Sequence, residues 1–262
     1  MNNNYFTEIF ETPFETAKAV AAKFNELTCK YIKEKDIVNS ALSGGKTPEL
    51  FFEVLSNEYF NISYPEKINF YWVDERCVPP ESSESNFGEA YRKMFSRFPS
   101  VKNLYRIKGE DNPEVAAENY ADLLKKNLPI KNGIPVFDII CLGLGDDGHT
   151  ASIFPGNDEL LTTDKICAVS LNPYNGQKRI TLTDKVINNA HNIIFFVTGK
   201  NKAETVRDIL MKKNNYEKLP ASHINPSEGN LYWYLDSDAA SLIDINYFKN
   251  LRIQNSNEDT CM

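Results

Sequence analysis

Apolar and polar positions along the chain switch repeatedly between a helical and an extended period. Residues 14–33 carry apolar or small side chains at helical spacing with no internal Pro or Gly, which predicts a helix. Residues 36–42 predict a short strand. Residues 47–56 predict a second helix, with Pro48 at a tolerated early position. The run 68–73 (INFYWV) is almost continuously apolar, as expected of a strand covered on both faces. Helical patterns return at 87–95 and 113–127, and buried strands at 137–142 (FDIICL) and 192–198 (NIIFFVT). A helix at 202–213 and a strand at 231–235 (LYWYL) complete the series. Strands alternating with helices predict an α/β fold, a doubly wound, mostly parallel sheet with helices on both faces, Rossmann-like in type. No fixed-period repeat and no low-complexity linker marks a boundary. Residues 1–262 are therefore read as a single domain, with a frayed polar tail at 255–262.

Composition narrows the partners. The chain has 262 residues, of which 42% are hydrophobic and 25% charged, a balance suited to a packed globular core. Its 36 acidic and 29 basic side chains give a net charge of −7, which argues against nucleic acid or an anionic membrane as partner. A local basic pocket for a small anion stays open. The first 15 residues lack a basic segment followed by an apolar run, so no signal peptide is expected. No apolar run reaches the ~18 residues that a membrane span needs. The five cysteines are scattered and form no CxxC pair, which removes zinc-ribbon and redox motifs and points to a reducing, cytoplasmic address. With only three histidines, none at metal-ligand spacing, neither metal nor cofactor is expected.

Open α/β sheets bind ligands at the carboxyl ends of their strands. Four polar or glycine-rich loops follow predicted strands: 43–48, 74–80, 143–155 and 199–202. In the first, Ser43-Gly44-Gly45-Lys46-Thr47-Pro48, two glycines allow close backbone approach and the next helix offers free N–H groups, an arrangement for phosphate. Gly45-Lys46-Thr47 also imitates a P-loop, and the acids after FYWV imitate the acidic strand end of nucleotide-binding ATPases. That pattern needs a glycine where Ser40 stands. A plain tight turn is the third reading. In the second loop, Asp74-Glu75-Arg76, the arginine fork suits a carboxylate, a phosphate or a developing oxyanion. An ion pair that merely shapes the loop explains it equally well.

The third loop, Gly143-Leu144-Gly145-Asp146-Asp147-Gly148-His149, has dinucleotide-fold glycine spacing, but two aspartates stand where a pyrophosphate would approach. His149 is the residue of interest there. A lone histidine is more often structural, but a flexible glycine-rich setting with Asp147 two positions away favours a general base whose tautomer the carboxylate fixes. His191 and His223 read as structural. Arg179 opens a short alternating segment, and Lys202 falls in the first turn of a helix, where a cation is better explained if it faces a bound anion. An ordinary solvated lysine is the alternative.

Taken together, these loops resemble the 6-phosphogluconolactonases. The matching segments are SGGKTPELF, FYWVDERCVPPESSESNFGEA, FDIICLGLGDDGHTASIFPG, KRITLT, VTGKNKAETV and LPASHINPSEGNLYWYLD, in the family's order between Ser43 and Asp236. The one departure noted is His223, where the late motif often has an apolar residue. The resemblance implies the sugar-phosphate isomerase/deaminase-like fold and the opening of a sugar phosphate lactone by water, without metal or cofactor. It implies His149 as the general base, with Asp74 and Arg76 beside the sugar ring and Arg76 stabilising the oxyanion. Ser43, Gly44, Gly45, Thr47, Gly145, Asp147, Arg179 and Lys202 are then expected around the substrate and its phosphate. The competitor within the superfamily is a sugar-phosphate deaminase/isomerase. Those relatives place a glutamate five residues after the histidine, where this chain has Phe154. The chain is expected to act as a monomer.

Overall fold

The computed structural model describes residues 4–59, 65–244 and 251–253, so the expected tail at 255–262 lies outside the described residues. The strands are β1 (Asn4–Phe10), β2 (Val38–Leu42), β3 (Ile68–Trp72), β4 (Asp74–Arg76), β5 (Leu104–Tyr105), β6 (Ile130–Lys131) and β7 (Ile134–Pro135). They continue with β8 (Ile139–Leu142), β9 (Cys167–Leu171), β10 (Lys178–Leu182), β11 (Asn192–Val197), β12 (Asn230–Asp236) and β13 (Leu251–Ile253). The α-helices are α1 (Pro13–Lys35), α2 (Lys46–Val54), α3 (Asn86–Lys93), α4 (Pro113–Asn127), α5 (Glu159–Thr162), α6 (Asp184–Ile187) and α7 (Ala203–Leu210).

Local chemistry sets several of these boundaries. Thr12 and Glu15 form a capping box ahead of α1, whose first residue is Pro13. Asn112 caps α4 by accepting from the Val115 amide, again with a proline at the first helical position. The expected helix at 202–213 is shorter: a 3₁₀ turn over Lys200–Lys202 leads into α7, which stops at Leu210. Lys212 and Asn214 then adopt left-handed backbone angles, which a right-handed helix cannot continue.

The main sheet runs β13-β1-β12-β11-β8-β2-β3-β5, and every pairing in it is parallel. All residues of β2, β8 and β11 are buried, as expected of central strands covered on both faces, including the polar Asn39 and Ser40 of β2 and Asn192 of β11. Rings stack across the layer, with Phe195 on Trp233 at 4.0 Å and Phe6 on Tyr232 at 5.0 Å. From β2 the chain steps through β3 to β5, then returns to the opposite flank of β2 with β8 and continues to β11 and β12. The winding therefore reverses between β2 and β8, which opens a crevice above their carboxyl ends. A second, antiparallel sheet, β4-β10-β9, was not anticipated, because β4 is only three residues long. It brings Arg179 of β10 directly opposite Arg76 of β4. No helix among the described residues is long and apolar enough to cross a membrane.

Candidate active site

The loops after β2, β3, β8 and β11 converge on one cleft of about 440 Å³, at the reversal of winding. Ser43, Gly44, Gly45, Thr47, Asp74, Arg76, Gly145, His149, Arg179 and Lys202 all line it. Asp147, expected among the substrate contacts, does not. Its carboxylate is turned away onto His149 instead.

Tight backbone turns place that pair. Gly148 has φ of +82°, the Gly148 amide donates to the Gly145 carbonyl at 3.1 Å, and the Gly145 amide donates to the His149 carbonyl at 2.8 Å. The fold brings the His149 ring so close to Gly145 that a Cβ there would lie 2.0 Å from Nδ1 and 2.6 Å from Asp147 Oδ1. This is the physical reason for a glycine at 145. Asp147 Oδ1 sits 2.5 Å from His149 Nδ1 and 3.1 Å from the His149 amide, while Oδ2 accepts from the Tyr174 hydroxyl at 2.6 Å. Burial works to raise the Asp147 carboxyl, but the hydrogen bond and charge of His149 and the Tyr174 hydroxyl outweigh it. The group is held well below the usual carboxylate range. An ionised Asp147 can only accept, so Nδ1 donates to it, and in the neutral imidazole the lone pair is on Nε2. No described residue bonds to Nε2. Phe154 lies under the His149 ring at 4.6 Å, and the Arg179 guanidinium lies over Phe154 at 5.5 Å.

The charges of the Asp74-Glu75-Arg76 strand go three ways. Asp74 is buried, accepting from the Ser152 hydroxyl at 2.6 Å and from the Asn86 side-chain amide at 3.3 Å. Glu75 points inward and accepts from the amides of Arg76, Asn86 and Phe87 and from the Ser85 hydroxyl. Burial still pushes its carboxyl up against those hydrogen bonds. Arg76 lines the cleft beside Asp74, steadied by the Glu84 carbonyl at 2.5 Å. The acids that imitate a nucleotide-binding strand end are thus committed to protein donors, and the ATPase reading loses its metal-holding group. Asn86, Ser152 and Tyr174 are the participants that sequence reasoning missed. Only Asn86 carried a signal, as part of the Ser85-Asn86 segment following the acidic loop.

The basic side chains are poised for an anion. The Nε atoms of Arg76 and Arg179 are both buried without a hydrogen-bond partner, as is Asn86 Oδ1. Burial and the neighbouring Arg76 charge lower the pKa of Arg179. Two adjacent guanidinium groups with unused donors ask for a shared negative group. Lys202 pairs with Asp146, which also accepts from Asn201 at 2.9 Å. The Gly45 amide, expected from the sequence to meet a phosphate, donates to Glu89 at 3.2 Å. A larger hollow of about 990 Å³ beside α4 and β9 has walls whose acids are largely paired, Glu114 with Lys178 and Asp164 with Lys185. It offers no comparable chemistry. Among the described residues no group of three or more His, Cys, Asp or Glu side chains is placed to hold a metal ion.

The family model described as glucosamine-6-phosphate isomerases/6-phosphogluconolactonase matches residues 11–233. The chain belongs to this family. A 6-phosphogluconolactonase of Treponema pallidum is 39% identical over 197 residues, covering 75% of this chain and 82% of that protein. One of Haemophilus influenzae is 35% identical over 236 residues, covering 88% and 98% respectively. Among solved structures, the 6-phosphogluconolactonase from Trypanosoma brucei matches with a TM-score of 0.84 at 28% identity, covering 93% of this chain and all of that one.

Proposed function

We propose that the protein hydrolyses 6-phosphoglucono-1,5-lactone to 6-phosphogluconate, a step of the oxidative pentose phosphate pathway, with His149 as general base. The observation that carries this reading is one histidine whose Nε2 no described residue bonds, backed by an ionised Asp147, in a single cleft with Arg76 and Arg179, whose Nε donors are unpartnered, and with Lys202, which rests on Asp146. His149 Nε2 takes a proton from water, and the hydroxide attacks the lactone carbonyl. The tetrahedral oxyanion is stabilised by Arg76. Collapse breaks the bond to the ring oxygen, which leaves with the proton held by His149. The sugar phosphate is gripped by Arg179 and Lys202, with Ser43, Gly44, Gly45 and Thr47 at the cleft wall. Binding energy from the phosphate orients the lactone without taking part in the chemistry. Asp74 shapes the wall beside the ring. The enzyme acts as a cytoplasmic monomer built as one domain, and needs no metal.

Phe154 supports the lactonase over the deaminase branch. It is buried against His149 where a glutamate would have to exchange a proton, and a phenyl ring exchanges none. The deciding experiment incubates the protein with freshly generated lactone, with glucosamine 6-phosphate, and with ATP and magnesium. Acid release above the spontaneous rate in the first is expected. Ammonia or inorganic phosphate release without lactone hydrolysis overturns the proposal.

A further inference from the structure

We propose that Tyr174 is a positioning residue of the reaction, acting through Asp147 to fix the orientation of His149. This rests on the lactonase reading above. Tyr174 sits on the turn between β9 and β10, is 70% exposed, and lies outside the residues that line the cleft. A side chain so open to water has little packing to hold it, yet its hydroxyl donates to Asp147 Oδ2 at 2.6 Å.

The turn is built to present that hydroxyl. The Asn172 amide donates to the Gln177 carbonyl, and the Gly176 amide to the Asn172 carbonyl, each at 2.9 Å. The Asn172 side chain, itself buried, accepts from the Tyr174 amide at 2.9 Å, and Asn175 accepts from the Gln177 amide at 3.0 Å. Gly176 supplies the left-handed step, with φ of +70°. The tip is therefore ordered from within, and the β9–β10 ladder beneath fixes its height above the third loop.

The consequence falls on a torsion. Asp147 Oδ1 already serves the His149 amide and ring, which alone leaves the carboxylate free to swing about its terminal bond. Anchoring Oδ2 to Tyr174 removes that freedom and holds Oδ1 in line with Nδ1. The imidazole is then kept as the tautomer with Nε2 available. Burial and its hydrogen bond to Asp147 both raise the phenol's pKa, the bond most, so Tyr174 stays a donor throughout the working pH range. Other charged groups near the pair are Asp146, held by Lys202, and Arg179 across Phe154, with Asp74 and Arg76 on the far wall.

The test is Tyr174→Phe, with Tyr174→Ala beside it. Expected for the Phe variant is a three- to tenfold lower kcat with KM and thermal midpoint unchanged. The acidic limb of its rate profile moves to higher pH, because Asp147 loses a donor that shared its charge. A second readout needs no substrate: the downfield ring proton between His149 and Asp147 shifts in the NMR spectrum of Tyr174→Phe, and vanishes in Asp147→Asn. Should wild type lack lactonase activity while this resonance still responds, the reading of function fails and the positioning contact stands. A Phe variant with wild-type kcat, pH profile and resonance overturns the proposal. So does a Phe variant like wild type beside a slow Ala variant, which would mean that the ring shields and the hydroxyl does nothing.

Discussion

At the scale of single residues, His149 is placed by what surrounds it. A base needs a lone pair on the cleft side and a fixed tautomer on the other, and Asp147 supplies the second at 2.5 Å. His149→Asn removes the lone pair while keeping a similar shape. Initial rates of lactone hydrolysis should fall about a hundred- to ten-thousandfold with an unchanged circular dichroism spectrum. A variant retaining most of its rate would assign the base elsewhere. Gly145→Ala tests the same pair from behind. A Cβ 2.0 Å from Nδ1 must displace the ring, and misplacement on the order of 1 Å costs about a hundredfold in kcat. The Lys202 ammonium, now on Asp146, is the group a phosphate would take over. Lys202→Ala should lower kcat/KM for the phosphorylated lactone roughly ten- to a hundredfold. It should leave the unphosphorylated lactone nearly unaffected, and equal losses on both would remove the phosphate role.

At the scale of elements, the β4 strand and the start of α3 are joined by Glu75. Each of its oxygens takes two donors, Oε1 the amides of Arg76 and Asn86, Oε2 the Phe87 amide and the Ser85 hydroxyl. Glu75→Gln turns an NH₂ toward one pair of these donors and leaves them buried without an acceptor. Stability to urea should drop by roughly 2–4 kcal/mol, with Arg76 losing its register in the cleft. A loss below about 0.5 kcal/mol, the range of ordinary surface changes, would show that another group holds the strand. This hub also shows why the second loop was only half legible in the sequence. Charges leaving an apolar strand read locally as solvated or ligand-facing. Apart from the adjacent Arg76 amide, the donors that bury Glu75 come from Ser85, Asn86 and Phe87, beyond an intervening loop, and no local pattern announces them. By contrast the 113–127 helix was fully legible, since its proline, its cap and its apolar spacing all lie within the segment. Tyr174 was invisible for the same reason as Glu75's partners: its target is set by the pairing of β9 with β10, not by its neighbours in sequence.

At the scale of the whole molecule, the parallel order of the central strands followed from their apolar runs, and so did the place of the cleft. The antiparallel β4-β10-β9 layer did not: β9 and β10 follow one another in the chain, but β4 joins them with Arg76 opposite Arg179, a distant pairing that leaves no periodic trace. Stability against pH is also a property of the whole. Asp184, at the start of α6, has one oxygen on Asn188 at 2.9 Å and the other buried with no partner. Burial pushes its carboxyl up to about 6. Between about pH 4 and pH 6 the folded chain keeps a proton that the unfolded chain releases, so stability falls as pH rises through that window. Asp184→Asn should be more stable than wild type above pH 6, by about 2 kcal/mol, with the difference fading toward pH 4. Urea curves that stay parallel from pH 4 to 8 would rule this group out.

The pairing of β1 with β12 has a consequence in time. Glu8 and Tyr234 are neighbours across that ladder, yet 226 positions separate them along the chain. At a synthesis speed of about 5–20 residues per second, the first strand waits on the order of ten to forty seconds on the ribosome before its partner exists. For that interval Phe6, Ile9 and Phe10 have no sheet to cover them, and the nascent chain carries an unpaired apolar edge. Helix α1, which follows at once, carries its own capping box and packs on β1 in the folded chain, is the natural shelter for it.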